Sequence, residues 1–537
     1  MRTRKFIAVL AMTVPIALAG CSSGSGGASP SIAPPAGATF DARPVKAGGT
    51  INVALSQDPD ALDPTTANTF VGREVFASIC EKLYDIDENL KIVPQLAAAA
   101  PEVSADGKTV TIKLRTGVLF NDGTPMDATA VKKTLDRNRT KADSARRSEL
   151  GAVSDVAVVD PSTVRLTLSR PFAPLAAQLA DRAGMIMSPA ALAAEGDNFG
   201  AKPVCVGPFS FVSRTSGSEI VVQKSDKYYN KDQVKLDKIV YKIITDSNVR
   251  AANLRSGDLQ VAERLATNDV PAFQADSKFK LLVGGGLSYQ GITLNAFNVA
   301  GTDKAPGTVN TPLGKSVQLR EAFELSLDRD TINKVVFNGL YEADCNPLPM
   351  NSPYRDPAAT CTKRDVAKAK QLVAASGVPT PIPVTLLITA APVNQRLGEV
   401  VQGMAKEAGF DVKLQPTEFV TSLDQAKSGK FDAIQVGWSG RVDPDGNVND
   451  LITTGGSNNY SGLHDPRIDD AIHQAAATTD DTKRRELYTT AIKAQQEQHC
   501  VIYLYHERYF LGTAGDIAGI RYYADGIPRF ATAGFAA

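Results

Sequence analysis

The stretch between residues 384 and 415 constrains the fold most. An alternating strand at 384–389 is followed by a helix at 395–408, a glycine stop at Gly409 and a second strand at 411–415. That order is a βαβ unit. Residues 500–506 (CVIYLYH) read as an almost wholly apolar strand, which belongs in a sheet covered on both faces. Period-2 alternation marks further strands at 48–55, 109–115 and 163–169, and strands are also read at 219–225, 238–244 and 431–438. Helical spacing covers 71–84, with Val71, Val75, Ile79 and Leu83 on one face. Other helices are expected at 128–135 behind an Asp127 N-cap, at 248–256 closed by Gly257, and at 317–338 with a restart at Asp330. Three more are expected at 365–376, 466–477 and 481–498. Residues 282–298 alternate but are loosened by glycine, as in a crossing between domains. The fold class is α/β, built in several blocks.

The first twenty residues read as a signal peptide outside that fold. Arg2, Arg4 and Lys5 precede an apolar run at 6–20, which falls short of the ~20 residues of a membrane span. The run ends in Leu18-Ala19-Gly20-Cys21, which resembles the bacterial lipobox, where the cysteine is lipidated and becomes the new N-terminus. Residues 21–47 are rich in Ser, Gly, Pro and Ala and read as a flexible tether. The body is therefore expected outside the cytoplasm, anchored to the outer face of the membrane through Cys21.

Disulfides are permitted there. Cys345 and Cys361 enclose a Pro- and Asn-rich loop that a bridge would staple. Cys80, Cys205 and Cys500 are odd in number, so at least one is expected as a buried thiol; their pairing is left open. The 58 basic residues match 58 acidic ones, so no surplus exists to neutralise phosphates, and nucleic-acid binding is disfavoured. Four histidines lie apart from one another and no CxxC occurs, so neither metal nor cofactor is expected. P-loop, GxSxG, HExxH and GxGxxG signatures are missing as well. Asp443-Pro444-Asp445-Gly446-Asn447 has the wrong glycine position for a calcium loop and reads as a plain turn. The pattern favours a binder over an enzyme.

Several segments then carry a resemblance. VTIKLRTGVLFNDGTPMDATAVKKTLDR (110–137) resembles the signature of family 5 extracellular solute-binding proteins, the peptide- and nickel-type lipoproteins of ABC importers. Residues 62–85, 206–211, 319–339, 431–438 and 499–507 match further family segments in order. The resemblance implies a two-lobed clamp of the periplasmic-binding-protein type II class with an extra inserted domain. Lobe I would comprise 48–84, 203–290 and 507–537; the inserted domain II, 85–202; and lobe III, 291–506. Crossings near residues 290 and 506 would form the hinge. A monomer is implied, holding a peptide or other small-molecule ligand between its lobes and presenting it to an ABC permease with its ATPase. An extracytoplasmic hydrolase, or a sensor on the same fold, is the alternative.

The resemblance also places a site. Asn68, Thr69 and Phe70 would line the pocket, with Tyr289 and Asn295 reaching it from the crossing. Trp438, the single tryptophan, would form a wall. Peptide-binding relatives carry an aspartate three residues after that tryptophan, where it pairs with the ligand's ammonium. This chain has Arg441 instead. A guanidinium there would attract a carboxylate or phosphate, unless Asp443 or Asp445 pairs with it.

Overall fold

In the computed structural model, residues 39–537 are described; the leader and Cys21 lie outside them. No helix among the described residues is long and apolar enough to cross a membrane. Two large sheets organise the chain. The first has seven strands, in the order Phe279–Gly285, Arg508–Ala514, Val261–Ala262, Thr50–Leu55, Lys238–Ile243, Glu219–Lys224 and Phe209–Thr215. Thr50–Leu55 runs parallel to both of its neighbours, and the flanking pairs are antiparallel. Its central position buries Ile51, Val53, Ala54 and Leu55 completely.

The second sheet has six strands, ordered Glu342–Ala343, Val501–His506, Tyr289–Leu294, Ala433–Trp438, Ile382–Thr389 and Phe410–Thr417. The βαβ unit sits at its edge, with Ile382–Thr389 parallel to Phe410–Thr417 over eight residue pairs. The crossover helix Pro392–Glu407 turns Leu397, Val401 and Ala405 inward. Fully burying a Leu or Val of this kind contributes about 1.5–3 kcal/mol, which fixes the helix on the sheet. A smaller four-stranded sheet is built from Glu102–Val103, Thr109–Lys113, Thr163–Leu168 and Val153–Asp160. Helix Ala128–Thr140 packs on it, capped by the Asp127 side chain accepting from the Ala130 amide. Its core is continuous with that of the seven-stranded sheet, whereas the six-stranded sheet has a core of its own.

Two chain passages link the large sheets. Phe279–Gly285 leaves the first and Tyr289–Leu294 enters the second, with only residues 286–288 between them. Val501–His506 and Arg508–Ala514 make the reverse passage around Glu507. The molecule is thus a two-lobed mixed α/β clamp with short crossings.

Some local expectations need correction. The first helix spans Phe70–Ile79 rather than 71–84, so Leu83 lies outside it. Cys80 is extended and bonded to Cys205, which draws the chain out of the helix. The break in the 317–338 segment comes at Asp328, whose side chain caps Arg329–Phe337 by accepting from the Thr331 amide, and not at Asp330. Asp443–Asn447 is more than a turn, because it leads into helix Asp445–Ile452. Cys345 is bonded to Cys361, and Cys500 is a buried free thiol.

Candidate functional site

A cleft of about 270 Å³ lies between the lobes beside the crossings. On the lobe I side its wall is the loop ahead of the first helix. Asp60 shapes that loop, accepting from the Asn68 and Thr69 amides at 2.7 and 3.1 Å and from the Thr69 hydroxyl at 2.7 Å. The loop presents Asn68, Thr69 and Phe70 to the cleft, although the Thr69 hydroxyl is taken by Asp60. The Phe70 ring lies 5.3 Å from that of Tyr509, and the Arg264 guanidinium sits 4.7 Å from Phe70 and 4.5 Å from Tyr509. Arg264 has φ +47°, a left-handed conformation that a long side chain adopts only under constraint.

The lobe III wall is the end of strand Ala433–Trp438, where Trp438 faces Tyr289 in antiparallel register. Both residues line the cleft, joined by Asn458 and Tyr460. The Trp438 indole N–H donates to the Gly446 carbonyl at 2.8 Å, which fixes the ring plane. Along the crossings runs a chain of polar contacts. Gln435 donates to Gln290 at 3.1 Å, Gln290 donates to Glu507 at 3.0 Å, and Arg264 donates to Glu507 at 3.3 Å. The cleft therefore offers aromatic faces for stacking, with amide and hydroxyl groups between them.

Two residues expected at the pocket lie elsewhere. Asn295 is buried and donates to the carbonyls of Asn298, Gly429 and Phe431, all at 3.1 Å, so its side chain braces a loop of lobe III. Arg441 lies behind Trp438, its guanidinium stacked 4.6 Å from the indole. The turn that carries it there requires Gly440, which has φ +79° and whose added Cβ would meet the Leu287 carbonyl oxygen at 2.2 Å. The partner of Arg441 is neither Asp443 nor Asp445. It is Asp181, from the segment containing the four-stranded sheet, at 2.5 Å.

Asp181 also takes Arg73 of the first helix, at 3.1 Å. One carboxylate thus joins three separate parts of the chain, and all three side chains are nearly buried. Burial alone would raise the Asp181 carboxyl, but Arg441, Arg73 and Arg182 overcome it and hold it well below the usual range. Arg182 bears the opposite consequence: burial and the neighbouring Arg146 push it down to about 9. Nearby, Gln178 reaches Asp445 at 3.4 Å, and the Ala173 amide donates to the Ala476 carbonyl at 2.8 Å. Asp445 is pushed up to about 7 by burial and by Asp443.

Sequence reasoning did not reach Arg264, Gln290, Gln435, Glu507, Asn458 or Tyr460. Glu507 and Gln435 lie in segments carrying the resemblance and Gln290 lies at the expected crossing, which were their only signals. The others sit on strands or loops whose pattern reports burial, not what they face.

Residues 91–460 match the family described as bacterial extracellular solute-binding proteins, family 5 Middle. The glutathione-binding protein GsiB of Pectobacterium atrosepticum is 28% identical over 472 residues, covering 84% of this chain and 88% of that protein. The periplasmic binding protein AgaA of A. tumefaciens R10, solved in complex with agropinic acid, is 28% identical with a TM-score of 0.78, covering 90% and 96% of the two chains. DppA of Helicobacter pylori, solved with the peptide STSA, superposes with a TM-score of 0.82 at 23% identity, covering 92% and 99%.

Proposed function

The chain belongs to the bacterial extracellular solute-binding proteins of family 5, and from that premise we propose that it is the lipid-anchored receptor of an ABC importer, taking a small polar organic solute between its lobes. The cleft at the crossings carries this reading: Phe70 and Trp438 face it from opposite lobes, with Asn68, Gln290 and Gln435 as polar groups between the rings. A solute touching both walls gains contacts in the closed form that the open form lacks, so binding shifts the population toward closure. The ligands of these relatives, glutathione for GsiB and agropinic acid for AgaA, favour a peptide-like or opine-like acid. Cys21 supplies the anchor, and a permease with its ATPase receives the closed form.

Native mass spectrometry of the purified protein, followed by calorimetry with the solute it carries, tests the proposal. One solute per chain, recovered unchanged, with a smaller radius in small-angle scattering when bound, is the expected result. Chemical turnover of the solute, or tight binding with no change in radius from a demonstrably open form, would remove the receptor reading.

A further inference from the structure

The lobes are held at two places. One is the junction of Arg73, Asp181 and Arg441. The other is the pair of crossings, which are laced to each other. The Gly286 amide donates to the Glu507 carbonyl at 3.0 Å, and Gln290 donates to the Glu507 carboxylate at 3.0 Å. Between those bonds sits His506, the last residue of strand Val501–His506. Its Nδ1 lies 2.5 Å from the Ser288 carbonyl oxygen of the first crossing, and its Nε2 lies 2.8 Å from Asp344 Oδ2. Asp344 also accepts from Arg355 Nη2 and from the Cys345 amide, both at 2.8 Å. Arg355 lies in the loop that the Cys345–Cys361 disulfide closes. One imidazole therefore ties both crossings and that loop together.

Both atoms that face the ring are acceptors. A carbonyl oxygen has no proton to give. Asp344 has none either: burial alone would raise its carboxyl, but hydrogen bonds from Arg355 and His506 overcome it and hold it at about 2. A neutral imidazole carries one N–H and serves only one of the two oxygens, so the geometry calls for an N–H on each nitrogen, the imidazolium form. His506 is 1% exposed, so water does not take over a bond that the ring gives up. Asp344 then serves two cations, and the group carries one positive charge in excess. The other charges around it are Glu342, which stands opposite His506 in the antiparallel pair, and Glu507 and Arg508, which follow it in the chain. Burial pushes the hydroxyls of Tyr289 and Tyr505 up, away from neutral pH. Histidine is the side chain that ordinarily changes charge between about pH 5 and 8, so the ring proton is the one this cluster can shed.

We propose that His506 is a proton-operated pin in the hinge, which locks the two crossings to each other when doubly protonated and frees the first crossing when it loses one proton. The loss turns a hydrogen bond into a contact between a nitrogen lone pair and an oxygen. The freed segment bears on the junction. Leu287 adjoins Ser288, and its carbonyl oxygen backs the Gly440 turn that carries Arg441 to Asp181. Gly285 and Gly286, with φ +95° and +104°, stand at the other end of the same segment, where a backbone without Cβ turns at little cost. Pinned and unpinned forms are two positions of one hinge, and the proton biases them because only the pinned form uses it. Pinning is therefore complete at acid pH and fades as pH rises.

The test uses the purified chain, freed of solute and labelled with nitrogen-15 in histidine. Of its four histidines, His464 and His473 are exposed and His499 is half-buried, so His464→Gln, His473→Gln and His499→Gln assign the remaining ring signals to His506. Nitrogen–proton NMR reads the protonation of each ring nitrogen from about pH 5 to 9. Small-angle scattering follows the radius over the same range, and the fluorescence of Trp438, the single tryptophan, follows its stack on Arg441. The expected result is a proton on both His506 nitrogens at pH 6, and a shift in radius and fluorescence at the pH where one is lost, with a common midpoint. His506→Gln, which does not titrate, loses that shift. Repeating the series in Asp445→Asn removes the contribution of Asp445, which burial pushes up to about 7. If His506→Gln does not fold, the midpoints in Asp445→Asn decide alone. A neutral His506 ring at pH 6, proton loss with no change in radius or fluorescence, or a shift that His506→Gln leaves intact overturns the proposal. None of these readouts involves a solute, so the receptor reading stands or falls separately.

Discussion

The cleft and the junction lie on either side of Trp438, yet they are built from opposite materials. The cleft is walled mostly by aromatic rings, amides and hydroxyls, and the charges at its crossing, Arg264 and Glu507, are paired with each other. The junction is a buried ion cluster with more guanidinium than carboxylate. Rings and amides accept many shapes at small cost, so a cleft of this kind adapts to its solute. Buried ions permit few arrangements, because separating them strands a charge in a medium that solvates it poorly. The contrast assigns solute affinity to the cleft and the holding of the lobes to the junction.

The largest effect that can break this division is expected at Asp181. Asp181→Asn leaves Arg73 and Arg441 buried without their shared counter-charge, a loss of about 3–5 kcal/mol in unfolding free energy. Urea denaturation measures it, and a loss below about 1 kcal/mol would show that the cluster is dispensable. Next comes Trp438. Trp438→Ala removes an aromatic wall and weakens the copurified solute about tenfold by calorimetry, while Trp438→Phe recovers most of the affinity. Equal affinity in wild type and Trp438→Ala would move the solute away from this wall.

The smallest effect is a slope against pH. Asp445 sits where lobe III meets Gln178, pushed up to about 7 by burial and by Asp443. An unfolded aspartate titrates near 3.9, so between about pH 4 and 7 the folded state binds the extra proton. The associated stability is complete below about pH 4 and is lost as pH rises through 7. Glu81, raised to about 7 chiefly by burial, has the same sign. Asp445→Asn is therefore expected to flatten the fall in stability between about pH 4 and 7 without abolishing it. An unaltered slope would mean that Asp445 is already ionised at the interface.

Much of the framework was legible because it is local. The βαβ unit, the Asp127 cap, the left-handed Gly257 and Gly409, and the apolar strand at Val501–His506 all follow from spacing within a short window. Asn68, Thr69, Phe70 and Trp438 could be named because the segments carrying the resemblance fix where the loop and strand ends fall, and Tyr289 because it lies by the expected crossing; all five line the cleft. The helix at Asp445–Ile452 was missed because its start, Asp-Pro-Asp-Gly-Asn, is chemically a turn and only packing extends it. Arg264 was missed because no neighbour in sequence foretells a left-handed arginine between two rings.

Arg441 divides the two kinds of knowledge most cleanly. The sequence determined that a cation, rather than a carboxylate, follows Trp438 by three residues. The tertiary structure decided what that cation meets. Local pairing with Asp443 was the nearer option in sequence, but Arg484 holds Asp443 at 2.7 Å, and the turn at Gly440 aims Arg441 toward Asp181. Periodicity and capping are set by neighbours along the chain, so a sequence displays them. An ion pair between distant segments is set by where three separately folded parts come to rest, and no window of residues contains that information.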